Sequence, residues 1–269
     1  MNCRVVHDIC ENVLGNIPEN TVDLTFTSPP YYNAKDYSQY PSYDDYLLSM
    51  KNIFKMVFDI TKEGKFLIVN SSPVIEAREK RSQSSKRYSI PFDLNYHIQQ
   101  IGWEFLEDII WVKPEPSVKN RNHQFKFNRK PLLYKPNLIT EYIMVYRKKT
   151  DKLLEWNVKQ YDKNIIEDSL VKEDYESNNV WKIQPEHSKT HPAIFPVKLS
   201  DNIIKYYSYK SDLVLDCFSG YGTTAVSCIR NDRKFLLIEK DKNYYDESIL
   251  RIKKELFNNG ELNNHIEYC

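Results

Sequence analysis

Glycine is scarce in this sequence: there are six in 269 residues, and two of them, Gly220 and Gly222, stand two positions apart. Glycine lets a backbone turn tightly or approach a ligand closely, so its one cluster becomes the first place to look for a site. The five cysteines, at positions 3, 10, 217, 228 and 269, show neither a Cys-x-x-Cys pair nor a Cys/His metal spacing. No metal site is expected. Cys217 and Cys228 fall at positions expected to be buried in a strand and a helix, which fits small apolar residues of a reducing compartment better than a disulfide framework. No apolar run reaches 18 residues and no signal peptide is recognised, so a soluble, cytoplasmic protein without a membrane span is expected. There are no internal repeats. Charge of either sign is also missing in net terms: 38 basic against 37 acidic residues leave +1, so only the distribution of charge can speak about partners.

That distribution is uneven. Residues 113–135 carry seven Lys/Arg against Glu115 alone, and residues 71–92 carry five against Glu76 and Glu79. Residues 151–180 reverse the balance, with eight acidic and four basic residues. Two basic stretches in a chain with 20 tyrosines favour contact with a nucleic acid over a merely solvated face.

Hydrophobic patterning predicts strands over Cys3–Val6, Val22–Phe26, Lys65–Asn70, Phe105–Val112, Glu141–Arg147, Leu213–Asp216 and Lys234–Glu239. Several are continuous apolar runs, as in a parallel sheet covered on both faces. Helices are predicted over Tyr43–Ile60, Pro91–Gln100, Pro196–Tyr207, Thr223–Asn231 and Asn243–Leu256. Strands alternating with helices imply an α/β, doubly wound sheet of seven strands. Segments 33–42, 71–89, 114–137 and 151–179 read as loops, and loops this long in a compact domain are usually functional or mobile.

Two segments carry the chemistry. The strand Leu213–Asp216 runs into Cys217-Phe218-Ser219-Gly220-Tyr221-Gly222-Thr223-Thr224-Ala225, whose Gly-x-Gly-x-x-Ala spacing fits a nucleotide-binding turn opening a helix. The next strand ends at Glu239, 19 residues after Gly220, where an acidic residue can accept hydrogen bonds from ribose hydroxyls. Together they indicate a nucleoside-type ligand. Far upstream, the strand Val22–Phe26 ends in Thr27-Ser28-Pro29-Pro30-Tyr31-Tyr32. The prolines fix φ and remove two N–H donors, leaving a held hydroxyl, carbonyls without local donors and an aromatic face. That set suits a flat base with an exocyclic amine. A dinucleotide oxidoreductase is disfavoured, because the turn comes late, holds no basic residue for a pyrophosphate and leaves the Ser-Pro-Pro-Tyr corner without a task.

In combination, these residues resemble the amino-methylating DNA methyltransferases in their circularly permuted beta arrangement. Ser28-Pro29-Pro30-Tyr31 matches that family's (D/N/S)-P-P-(Y/F) segment and precedes Asp216–Thr224, which matches its DPFxGxGTT turn. Lys189–Pro196 resembles the HPxxFP element that precedes the turn. The likeness covers residues 3–72 and 180–256, and more loosely the span between. Cys217 departs from it, standing where the family usually has proline.

The resemblance implies the fold of S-adenosylmethionine-dependent methyltransferases: a mostly parallel, seven-stranded, permuted sheet with a loop-rich DNA-recognition region. It divides the chain into a catalytic half (1–72), a region completing the sheet and recognising DNA (73–180), a cofactor half (181–260) and a tail (261–269). It implies methyl transfer from S-adenosylmethionine to the amine of a flipped-out base in double-stranded DNA. Ser28 and the Pro29 carbonyl would hold the amine, Pro30 would shape the corner and Tyr31 would stack on the base. Tyr32 is expected either at the DNA or within the fold. Asp36 is a candidate to take the amine proton. Glu239 would hold the ribose, and Asp8 the adenine amine unless it caps a helix. Thr190, His191, Phe195, Asp216, Phe218, Gly220, Gly222, Thr223 and Thr224 would surround the rest of the cofactor. Lys35, Arg81, Lys113, Lys119, Arg121, Lys126, Arg129 and Lys130 are candidates for DNA contact. Serine before Pro-Pro-Tyr is typical of cytosine-N4 enzymes in this family, with adenine N6 the alternative and a non-catalytic nucleic-acid-binding module a remoter one. A cognate restriction endonuclease or companion methyltransferase is an expected partner. The recognised DNA sequence and the oligomeric state are not legible here.

Overall fold

The computed structural model describes residues 3–33, 39–76, 80, 82–173, 175–186, 195–260 and 266–269. The chain begins with β1 (Cys3–His7), a short α1 (Cys10–Leu14), β2 (Val22–Thr27), α2 (Tyr43–Ile60) and β3 (Thr61–Ser71). A hairpin of β4 (Val74–Glu76) and β5 (Lys86–Tyr88) follows, then α3 (Ile90–Ile101), β6 (Trp103–Val112), α4 (His123–Asn128) and β7 (Thr140–Lys148). The last part holds α5 (Leu154–Val158), α6 (Lys163–Asp168), β8 (Val180–Lys182), α7 (Val197–Tyr207), β9 (Leu213–Asp216), α8 (Thr223–Arg230), β10 (Lys234–Glu239), α9 (Lys242–Asn258) and β11 (Ile266–Tyr268).

Among the described residues the main sheet has nine strands in the order β11-β1-β10-β9-β2-β3-β7-β6-β8. Only β7 runs against its neighbours, β3 and β6; the other pairings are parallel. All seven expected strands are present, and the expected count is corrected to nine by β8 and β11, three residues each. Three residues are too few to establish a period of two, so neither could be read from pattern. The expected tail thereby supplies an edge strand: β11 pairs with β1, Cys3 opposite Ile266.

Helices cover both faces. Alternation along each strand divides the core into two layers, as the period of two requires. In β9, Leu213 and Leu215 face the layer of α1, α2 and α3, while Val214 faces that of α7, α8 and α9; Leu236 and Leu237 divide the same way in β10. Helix α2 has the expected bounds for local reasons. Its Ser42 side chain accepts the Asp45 N–H, Asp44 and Asp45 favour the positive end of the helix, and Tyr46, Met50, Ile53, Phe54 and Val57 form one buried stripe.

The expected loops hold more structure than anticipated. Segment 71–89 contains the β4–β5 hairpin, 114–137 contains α4, and 151–179 contains α5 and α6. The last is tied to the sheet by polar groups rather than an apolar stripe. Asn157 accepts from the Arg147 guanidinium at 3.0 Å and donates to the Glu63 carbonyl at 3.0 Å. Tyr161 donates to the Asp212 carboxylate at 2.7 Å, and Lys65 lies 3.5 Å from both Asp23 and Asp212.

One feature of the topology positions the site. Strands β9 and β2 are neighbours, with Leu24 opposite Val214 and Thr25 opposite Leu215. After β9 the chain crosses to β10 on one side; after β2 it crosses to β3 on the other. Such a reversal opens a crevice beyond the carboxyl ends of the two strands.

Candidate active site

A cavity of about 640 Å³ occupies that crevice, and Ser28, Tyr31, Phe218, Gly220 and Glu239 all line it. The two segments singled out from sequence therefore share one wall. The Thr27 hydroxyl at the end of β2 donates to Asp216 Oδ1 at the end of β9 (2.7 Å). Asp216 is fully buried and also accepts from the Thr224 hydroxyl at 2.6 Å and the Phe218 N–H at 3.2 Å. Burial pushes its carboxyl up to about 6, against the hydrogen bonds that favour the charged form.

The turn at 217–223 is built by backbone. Gly220 and Gly222 both have positive φ, 49° and 72°. A Cβ on Gly222 would lie 3.0 Å from the Ser248 Cβ, so α9 would have to give by a few tenths of an ångström. Helix α8 starts at Gly222 without a side-chain cap, and its first N–H groups have no partner within the helix. Glu239 closes the turn: Oε2 accepts the Gly220 N–H at 2.7 Å and Oε1 the Asp241 N–H at 2.8 Å. Burial raises its pKa, and those two donors work in the opposite direction. Asp8 lines the same cavity as Glu239, its Oδ1 accepting from the Ile9 N–H and the Asn12 side chain at 2.7 and 2.9 Å.

In the Ser-Pro-Pro-Tyr corner, Ser28 donates to the Asn70 carbonyl at 3.1 Å, which leaves its lone pairs for an incoming donor. Pro29 and Pro30 line the cavity beside it. The Tyr31 hydroxyl donates to Glu141 Oε2 at 3.4 Å, and burial followed by the Glu141 charge holds this phenol well above its ordinary range. Glu141 is buried, accepts the Asn70 side-chain N–H at 2.8 Å and ion-pairs with Lys113.

Not every assigned residue lines the cavity. Asp216 and Thr224 are buried behind its lining and joined by a hydrogen bond, and Gly222 packs against Ser248. Thr223 and Phe195 do line it, with Thr223 held by Arg251 at 2.8 Å and Phe195 packed on Phe26 at 4.9 Å between ring centroids. Tyr32 is 8% exposed and packed against Tyr43, Tyr46 and Tyr88; it belongs to the core. Lys113 lines the cavity, paired with Glu141, so it is no surface phosphate contact.

Lys119, Lys126, Arg129 and Lys130 are exposed. Arg121 is half-buried, and its guanidinium pKa is lowered by burial and then by Arg87, so the two basic stretches of the sequence meet here. Lys35, Asp36, Arg81, Thr190 and His191 lie outside the described residues.

Asn70 and Glu141 were missed. Both sat in predicted strands without a functional signal, because pattern fixes neither strand direction nor neighbours. Cys217, standing where the resemblance has proline, is buried with its thiol pKa raised by that burial, and its Sγ lies 3.8 Å from the Thr27 hydroxyl.

Comparison with known proteins agrees with this architecture. A family described as DNA methylase matches residues 22–250. The type II beta methyltransferase M.BslI of Bacillus sp. (strain NEB-606) is 30% identical over 245 residues, covering 88% of this chain but 26% of that protein. The orphan methyltransferase M.BamHII of Bacillus amyloliquefaciens is 27% identical over 256 residues, covering 88% of this chain and 91% of that one. The structure of TTHA0409 from Thermus thermophilus superposes with a TM-score of 0.76 at 24% identity, covering 99% of this chain and 98% of its own. TTHA0409 has also been solved in complex with S-adenosyl-L-methionine. The cytosine-N4-specific PvuII DNA methyltransferase gives 0.70 at 19% identity, covering 100% and 95%.

Proposed function

The chain belongs to the DNA methylase family, and on that premise we propose that it transfers a methyl group from S-adenosylmethionine to the N4 amine of a flipped-out cytosine in double-stranded DNA. The observation that carries this reading is the shared cavity. The amine-accepting Ser28 and the nucleoside-type turn at Gly220 line one space, although they lie at opposite ends of the chain.

The residues present fit the donor. Glu239 offers a buried carboxylate for ribose hydroxyls and Asp8 an acceptor for an adenine amine, and Thr223, the first residue of α8, lines the same cavity. S-adenosylmethionine supplies an electrophilic methyl on sulfonium; the protein's own task is to seat the amine. An aromatic amine is a poor nucleophile because its lone pair is delocalised into the ring. Ser28 Oγ, with its proton on Asn70, accepts one amine N–H, the Pro29 carbonyl accepts another, and the lone pair is freed toward the methyl. Positioning of this kind supplies much of the rate. The amine is out of reach in a duplex, so the base must leave the stack at a cost of a few kcal/mol. Stacking on Tyr31 returns about 1–3 kcal/mol. Region 73–180 would recognise the DNA, with Lys119, Lys126, Arg129 and Lys130 at phosphates or base edges. A cognate restriction endonuclease is the partner such a modification activity would protect against.

The serine in the corner supports cytosine N4. Methylation of mixed-sequence DNA with labelled S-adenosylmethionine, followed by nucleoside mass spectrometry, tests both levels. N4-methylcytosine is the expected product. N6-methyladenine alone would overturn the base assignment, and no methylated base from folded protein that binds the cofactor would overturn the activity.

A further inference from the structure

We propose that Glu141 is the final acceptor of the proton released by the target amine, reached through the hydroxyls of Ser28 and Tyr31. This rests on the methyl-transfer reading above and adds a step to it.

When the amine attacks, an N–C bond forms and the S–C bond breaks, its electron pair going to sulfur. The nitrogen is left cationic and must lose a proton. Ser28 can receive that proton only by passing on its own, since a protonated serine is far too acidic to persist. Hydroxyl and carboxylate partners continue the path. Ser28, Ser72 and Tyr31 line one cavity, and the two serine hydroxyls act on the Tyr31 phenol, lowering its pKa against the burial that raises it. That phenol in turn donates to Glu141 Oε2 at 3.4 Å. Contacts of this length are common before a substrate is seated and tighten afterwards.

Atoms and charge balance. The serine hydroxyl first turns from the Asn70 carbonyl toward Tyr31. One proton then moves from nitrogen to Ser28 Oγ, the serine proton to Tyr31 Oη, and the tyrosine proton to Glu141 Oε2. Both hydroxyls end as they began, the amine is neutral, and Glu141 has become a carboxylic acid.

The surroundings of Glu141 suit an acceptor at the end of a path. It is buried and lines the cavity with Ser28 and Tyr31. Lys113 occupies Oε1, leaving Oε2 to face Tyr31 and Asn70. Asn70 clamps both ends, because its backbone carbonyl holds Ser28 and its side-chain amide holds Glu141 at 2.8 Å. A carboxylate can only accept, so the amide must turn its N–H toward Glu141. Topology makes this possible. β7 runs antiparallel to β3, so Tyr142, the residue after Glu141, pairs with Ser71, next to Asn70. The start of β7 thus lies at the rim where β2 and β3 end.

The test uses the whole protein with Glu141→Gln and Tyr31→Phe, each nearly isosteric with the native residue. Single-turnover methylation is followed across pH, alongside S-adenosylmethionine affinity by calorimetry and extrusion of 2-aminopurine placed at the target base. General-base steps contribute about 10²–10⁴-fold. Both variants should therefore slow transfer by about 10²-fold or more, and Glu141→Gln should lose the rise in rate with pH. Calorimetry and fluorescence should stay at wild-type values. Rates within about twofold of wild type in either variant, far below a general-base contribution, would overturn the relay. So would a slower Glu141→Gln that keeps the wild-type pH profile, the mark of a structural role. Should Glu141→Gln fail to fold, Tyr31→Phe decides by the same rate criterion. A wild-type protein that methylates no base would instead remove the underlying activity, and the relay with it.

Discussion

The Thr27 hydroxyl and Asp216 Oδ1 are 2.7 Å apart although 189 residues separate them in the chain. This bond ties β2, which runs into the Ser-Pro-Pro-Tyr corner, to β9, which runs into the glycine turn. It sits beneath the cavity and has no solvent exposure, since both residues are fully buried.

The folded pKa of Asp216, about 6, exceeds the ordinary aspartate value near 3.8 because of burial. A raised carboxyl binds its proton more tightly in the folded state. Its contribution to stability is therefore full below about pH 4 and is lost as pH rises through about 6. At about 1.36 kcal/mol per unit this amounts to at most about 3 kcal/mol. Urea unfolding of wild type and Asp216→Asn from about pH 4 to about pH 7 should differ in slope, the variant losing less stability on the way up.

On the proposed mechanism, Ser28→Ala should bind S-adenosylmethionine with wild-type affinity and lose about 10²-fold or more in turnover, because the proposed acceptor of the amine is removed. Calorimetry and a methylation assay separate the two effects, and full activity in the variant would displace Ser28 from its role.

Gly222→Ala should be destabilised by about 1–3 kcal/mol in thermal or urea unfolding. The φ of 72° strains any L side chain, and the added Cβ would stand 3.0 Å from Ser248.

Glu239→Ala should weaken cofactor binding by roughly 10–100-fold, in line with about 1.5–3 kcal/mol for hydrogen bonds to a charged group. The loss has two sources. The variant removes the proposed ribose acceptor and also frees the Gly220 N–H now held at 2.7 Å. Unchanged affinity by calorimetry would exclude the ribose role.

Replacing Lys126, Arg129 and Lys130 together by alanine should weaken DNA binding evenly across sequences. If all three meet phosphates, the slope of log affinity against log salt should flatten by about 2–3. A change confined to one DNA sequence would place them at base edges instead.

Much of this was legible beforehand, for local reasons. The bounds of α2 follow from a serine cap and a helical stripe, and the turn at 217–223 from an apolar run followed by two glycines. The short pieces were not. β8 and β11 span three residues each, and α5 holds its place through Asn157 and Arg147 rather than an apolar face. In the site, residue identity marked Ser28, Gly220 and Glu239 but could not separate lining from support. Asp216, Gly222 and Thr224 share the motif, yet they do not line the cavity. Tyr31 and Tyr32 are adjacent and chemically alike, and only packing sends one ring to the cavity and the other to the core.

The sequence by itself determined the kinds of element, their order and the class of ligand. These depend on periodicity and turn chemistry, which act over a few residues and survive in a linear text. The tertiary structure decided who stands beside whom. Strand order placed β9 against β2, and so Thr27 against Asp216. The reversed direction of β7 brought Glu141 to Ser28 and Tyr31. A strand's pattern of two specifies which face is buried, and it carries no information about direction or neighbours. Those are set by how the whole sheet closes its core.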